Sequence, residues 1–391
     1  MNSERFILGD PRFLSGGKAI GTINYSSRPP TMRPEEEGVT SAVIAKTMKD
    51  QGCSLIQAVQ AHMQVHRGQS GYHHRPPLNL FLRELEEPTV GVEIETVARK
   101  NINYDNLESD LMSNWFHFEH DGSLPSGGYE LITEPLPPHV YRDPHVWAGL
   151  QNTLTPWVES FGYKETGLHV HVGLRQFEDI DCGLSNQSDR RNLGKFTALM
   201  LYFAVLDRAF VDRVMLRRNT HYCAPTSNAS IQDLATEVRK GNGVPAREFA
   251  DAVIKFSMNR DEVHYRRGEI IQQCQRGRDP SDTAGSTIFG TAGGVPISMD
   301  HGGEGSEMNA SHPYTVEFRR GKGTLHSLSV HRIVELATLT VRYAASVLRK
   351  PVDATGKDVM VTPAAMYSFI ARNTNSAALR QLAEKELRAC S

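Results

Sequence analysis

Hydrophobic and polar positions alternate with a period of two in four short stretches of this chain, and each stretch sets ionisable residues on its polar side. In VGVEIET, Val90 to Thr96, a strand points Glu93 and Glu95 one way and Val92 and Ile94 the other. GYELITEP places Glu130, Ile132 and Glu134 on one face and Leu131 and Thr133 on the other, and Pro135 ends it. GLHVHVG separates His169 and His171 from Val170 and Val172, and TVEFRR sets Glu317 and Arg319 against Val316 and Phe318. WFHFEHDGSL, from Trp115 to Leu124, reads as a further strand running into an Asp-Gly turn.

A period near 3.6 elsewhere predicts helices. One short helix is expected from Ser41 to His66, through Val43, Ile44, Met48, Leu55, Ile56, Val59 and Met63. Asp143 followed by Pro144 is a cap and first position, and the apolar stripe from Val146 runs on to Phe161, where Gly162 stops it, with a kink expected at Pro156. A long amphipathic helix is expected from about Ser188 to Arg218. Residues 224 to 282 are mostly helical by composition, and helices close the chain at about 327 to 349, 363 to 372, capped by Thr362, and 376 to 389.

These elements divide the chain into an N-terminal arm, 1–85, partly disordered with that one helix, and a folded domain, 86–391, carrying a Gly-rich mobile loop at 284–306 and C-terminal helices at 350–391. Strands followed by flanking helices define an α+β fold. His62, His66, His73 and His74 lie in Gly- and Pro-rich surroundings that give a metal no rigid frame, and they read as surface or loop histidines. EEE at Glu35 to Glu37 reads as solvated charge.

Charge changes the picture only by exclusion. Lys and Arg number 43 against 45 Asp and Glu, a balance that gives no reason to invoke nucleic acid or an anionic membrane. Five scattered cysteines form no CxxC pair, which fits reduced thiols rather than a disulfide framework. MNSERFILGDPRFLSGG at the N-terminus lacks the uninterrupted apolar stretch of a secretory leader, and the most apolar run, Phe196 to Leu206, is too short for a membrane span, so a cytoplasmic protein is expected, of open oligomeric state.

Chemistry changes it more. Solvated strand faces would be expected to carry Lys, Ser, Thr and Gln too, yet these four carry Glu93/Glu95, Glu130/Glu134, His169/His171 and Glu317/Arg319. Carboxylates that share a surface repel unless a cation lies between them. Oxygen ligands outnumber imidazoles and no thiolate is near, which favours Mg²⁺ or Mn²⁺ over zinc. Hard cations beside an arginine commonly hold phosphates, so a nucleotide is the expected donor. GGKAIG at Gly16 and GKGT at Gly321 both lack the P-loop spacing. Cys223 beside His221 reads as packing, because neighbours on a strand face opposite ways.

The ordered series VGVEIE, then DGSL and GYELITEP, GLHVHVG, RRNTHYCAP and MNxxxxxTVEFRxxxGTL resembles the amidoligase family of the carboxylate-amine ligase superfamily, relatives of glutamine synthetase and glutamate-cysteine ligase. The resemblance covers about residues 88 to 350. It implies a glutamine-synthetase-like curved antiparallel sheet with helices packed on its outer face, whose concave side binds ATP and Mg²⁺. It also implies that Glu93 and Glu95 divide between two metal sites, that Glu130 joins one, with Glu134 a further candidate there, and that His169 and Glu317 join the other. Arg319 resembles the arginine that meets the transferred phosphoryl group. Asp121, Ser123, Arg218, Asn219 and Tyr222 fall where substrate or nucleotide contacts are expected. His171 fits a phosphate contact or a histidine hydrogen-bonded within the sheet. Thr166 stands where the family usually has cysteine, and HYRRGE at His264 to Glu269 does not match the family's arginine-tyrosine segment clearly.

The expected reaction is ATP-dependent joining of a small-molecule or peptide carboxylate to an amine through an acyl phosphate. Three alternatives stay open: a phosphotransferase on the same site, a metal-dependent hydrolase using His169, His171 and a glutamate, and an inactive binding or structural protein that kept the fold.

Overall fold

A computed structural model describes Lys49 and residues 88–99, 116–119, Leu124, 128–133, 135–160, 166–180, 187–216, 229–240, 243–257, 308–309 and 315–390. The helix expected at 41–66 and the Gly-rich loop at 284–306 lie outside them, as does the N-terminal arm apart from Lys49.

In chain order the strands and helices are β1 (Val90–Ala98), β2 (Phe116–Glu119), β3 (Gly128–Thr133), α1 (Pro138–Tyr141), α2 (Pro144–Leu154), β4 (Val158–Glu159), β5 (Gly167–Gly173), α3 (Gln187–Met200), α4 (Arg208–Met215), α5 (Ala229–Arg239), β6 (Val244–Pro245), α6 (Ala246–Ser257), β7 (Met308–Asn309), β8 (Thr315–Lys322), α7 (Ser327–Arg349), β9 (Met360–Val361), α8 (Pro363–Asn373) and α9 (Ala377–Ala389). β1 pairs antiparallel with β3 and β4, β2 with β3, β7 with β8, and β6 with β9, so the class is α+β.

The chain separates into two compact units, one of Met1–Leu168 with Gly323–His331, the other of His169–Lys322 with Arg332–Ser391. In the first, the strand order is β2-β3-β1, with β4 on the end of β1. Val90, Val92 and Ile94 are wholly buried, the alternation the sequence shows, and each contributes roughly 1.5–3 kcal/mol by leaving water. Asp143 caps α2 by accepting the His145 N–H at 2.9 Å, with Pro144 at the first helical position. The stripe expected to reach Phe161 stops earlier. Helix α2 ends at Leu154, Trp157 donates its N–H back to the Leu154 carbonyl, and Val158 pairs with Ala98 in β4. Pro156, which has no N–H to give a helix, sits in that turn.

In the second unit, β8 pairs with β7, and the wholly buried Val316, Phe318 and Arg320 occupy one side of β8. The helix expected over 188–218 is two. α3 passes into one π-helical stretch, Leu201–Val205, Leu206 turns extended, and Asp207 starts α4 by accepting the N–H groups of Ala209 and Phe210. Asp207's own N–H donates to Tyr367 on α8, whose ring packs edge-on against Phe210 at 5.0 Å. The break is therefore held by a tertiary contact as well as by a cap. α7, α8 and α9 lie within a residue of their expected bounds.

Candidate metal centre

Three strands of the first unit bring acidic residues into line. Register places Glu95 directly opposite Glu130, with Glu93 opposite Ile132, and Glu119 of β2 takes the position across from Glu130 on the other side. Like charges directly opposite across a ladder are destabilising unless something neutralises them. Glu95 and Glu130 are both buried, which raises that cost. The Glu95 side chain is oriented by the backbone: one carboxylate oxygen accepts the Gly167 N–H, while the Glu95 carbonyl accepts the Ser160 hydroxyl at 2.8 Å. The sequence shows Glu119 alternating with Phe116 and Phe118, but its place opposite Glu130 is set by the β2-β3 register, which the sequence alone does not give.

The second unit gathers basic groups around one acid. One oxygen of Glu317, a residue 4% exposed, lies 3.3 Å from Arg319 Nε, 3.5 Å from His169 Nδ1 and 4.0 Å from His171 Nε2. Metal ligands stand about 2.0–2.3 Å from their ion, so two ligands of one ion lie about 3–4 Å apart, and the Glu317–imidazole spacings fall in that range. Period-two alternation explains the gathering. His169 and His171 share one side of β5, Glu317 and Arg319 share one side of β8, and Val170, Val172, Val316 and Phe318 are buried between.

The donor set fits a divalent cation. Carboxylate oxygens and neutral imidazoles are the ligands that Mg²⁺ and Mn²⁺ take, with imidazole drawing the balance towards Mn²⁺ or zinc, and no cysteine is among them. Of the expected residues, Glu93, Glu95, Glu130, His169, His171, Glu317 and Arg319 are described. Glu134, Asp121, Ser123, Arg218, Asn219 and Tyr222 lie outside the described residues. Among the described residues, no helix is long and apolar enough to cross a membrane.

Two further basic groups are perturbed by burial. Burial, with the Arg191 charge adding to it, pushes Lys195 on α3 down to about 7. Burial pushes His331 on α7 down to about 4, against the opposing pull of the Arg142 backbone and Asp143.

No family model matches the chain. A curated relative, adenine deaminase of Saccharomyces cerevisiae, is 26% identical over 156 residues, which is 39% of each protein, so the match spans well under half of that relative. A solved structure described as a novel glutamine synthase homolog aligns at 11% identity over 85% of this chain and 67% of its own, with a TM-score of 0.30. Likeness that slight carries no weight for fold or activity, and the α+β class rests on the chain's own helices and antiparallel strands.

Proposed function

We propose that the chain is an ATP- and divalent-metal-dependent ligase that joins a carboxylate to an amine, in the manner of the amidoligases its motifs resemble. The reading is supported by what each unit holds: in the first, the buried Glu95 opposite Glu130, and in the second, Glu317 beside His169, His171 and Arg319. Within the first unit Glu93 and Glu130, and within the second His171 and Glu317, offer ligand atoms inside 4.8 Å of one another, which supports metal binding.

Glu93, Glu95, Glu130, Glu134, His169 and Glu317 would hold the cations. When bound, these would neutralise the ATP phosphate oxygens during transfer. Arg319 would meet the moving phosphoryl group with its planar fork. His171, Asp121, Ser123, Arg218, Asn219 and Tyr222 would contact nucleotide or substrate. Activation is needed because an ionised carboxylate, with a reference pKa near 4, is a poor electrophile. Its attack on the γ-phosphate gives an acyl phosphate and ADP, and the amine then displaces phosphate to leave the amide.

The test supplies pools of acids and amines with ATP and Mg²⁺ and measures ADP and new amides by mass spectrometry. ADP formation that needs both an acid and an amine supports the ligase; turnover of an acid alone to a stable phosphate points to a phosphotransferase.

A metal-dependent hydrolase is the second reading. It is favoured by the two imidazoles and one carboxylate at Glu317, and the name of the partial relative suggests adenine as its first trial substrate. Ammonia released from adenine without ATP would put this reading first.

A further inference from the structure

The Glu95 carboxylate is oriented by the Gly167 N–H, so its aim depends on where the Thr166–Gly167 peptide lies. That peptide is backed by the turn after β8. Gly323 donates its N–H to the Thr166 carbonyl at 3.4 Å, and the turn approaches so closely that no side chain fits. A Cβ on Gly323 would stand 2.6 Å from Thr166 Oγ1, 2.9 Å from Ser160 Oγ and 2.9 Å from the Thr166 carbonyl carbon. Contacts below about 3 Å force atoms to move, and the last of these atoms is part of the peptide itself. Thr166 and Ser160 are thus both touched by Gly323 and both tied to Glu95, Thr166 through the peptide and Ser160 through its hydrogen bond to the Glu95 carbonyl. Thr166 is buried, and its hydroxyl meets no hydrogen-bond partner among the described residues, so the hydroxyl marks the space that glycine leaves rather than a bond of its own.

We propose that Gly323 is a positioning residue for Glu95: the absent side chain lets the turn after β8 press on the Thr166–Gly167 peptide and set the carboxylate's direction. The inference rests on the reading of Glu95 as a metal ligand. Groups that orient a ligand without touching the ion commonly change metal affinity 10–100-fold when altered. Gly323→Ala is therefore expected to displace the Gly167 N–H and weaken the site that Glu95 serves, with no new charge or lost ligand.

The experiment titrates metal-stripped full-length protein with Mn²⁺ by calorimetry, for wild type, Gly323→Ala, Glu95→Gln and the double variant, and records each melting temperature in EDTA. Wild type should bind Mn²⁺, Gly323→Ala about tenfold more weakly, Glu95→Gln more weakly still, and the double variant no more weakly than Glu95→Gln alone, because the glycine acts through that carboxylate. Unchanged affinity in Gly323→Ala, or a further tenfold loss in the double variant, overturns the proposal while leaving the metal reading intact. Wild type that binds no Mn²⁺ overturns the metal reading, and the proposal with it. Should Gly323→Ala not fold, Ser160→Ala replaces it, since it removes the hydroxyl that fixes the Glu95 carbonyl and adds no atom. A few-fold weakening is expected there, and wild-type affinity overturns the proposal.

Discussion

Two arginines adjacent in sequence on β8 meet carboxylates in opposite settings. Arg319 keeps part of its surface and reaches a buried acid, Glu317, which two imidazoles also approach. Arg320 is wholly buried among Val316, Phe318 and the α4 helix, and its partner Asp212 is the half-exposed member, also held by Arg208 at 3.2 Å. In the second pair the charge in the core is the cation, and the surface acid neutralises it. In the first it is the anion, crowded by more basic groups than one carboxylate needs. One strand thus carries a structural ion pair on its core side and a chemically loaded one on the other.

The sharpest way to break the comparison is Glu317→Gln, which keeps shape and removes charge. Metal-dependent ADP formation should fall by at least about a thousand-fold, several kcal/mol of lost charge stabilisation, while the melting temperature in EDTA stays within a few degrees of wild type. Wild-type turnover would remove the site assignment. Next comes Arg319→Lys, which keeps charge without the fork. Nucleotide binding should persist while phosphoryl transfer slows on the order of a thousand-fold, as read by single-turnover kinetics.

Asp212→Ala tests the other side of β8. Removing the acid from a fully buried guanidinium should cost about 3 kcal/mol in urea unfolding, with turnover per folded molecule unchanged. Arg320→Met, which fills the same space without charge, should cost less than about 1.5 kcal/mol. Lost activity in a folded Asp212→Ala would show that the two sides of β8 are coupled.

A pH-dependent effect is expected at His331, a buried base on α7. Its folded pKa, about 4, lies below the unfolded value near 6.5, so the unfolded chain binds more protons between them. Its contribution is fully present above about pH 6.5 and is lost as pH falls towards 4, on the order of 3 kcal/mol. His331→Gln should flatten that limb of the stability profile, and an unchanged slope would count against the assignment.

Much of the local structure was legible because it depends on residues near in sequence. Alternation in VGVEIET, GLHVHVG and TVEFRR foretold which side of β1, β5 and β8 would be buried, and Asp143-Pro144 and Thr362-Pro363 fixed helix starts. What escaped depends on distant partners. Asp207 reads as one more polar residue in a helical stripe until Tyr367 takes its N–H and Leu206 turns extended. Arg320 falls on the apolar side of a strand, where no pattern foresees a guanidinium, because Asp212 lies more than a hundred residues away. Gly323 reads as turn punctuation, and its close approach to Thr166 needs coordinates to be seen. For the site, the acids and histidines were legible as types on faces. The opposition of Glu95 to Glu130 required the register of two strands.

That opposition has a bearing on how the sheet breathes. With two buried carboxylates face to face, the β1-β3 ladder is pushed apart from within whenever nothing positive lies near, and its amides should exchange with deuterium faster. An ion held there would draw the same residues together and slow that exchange. The ladder's openness would then report, hydrogen bond by hydrogen bond, whether the acids are neutralised.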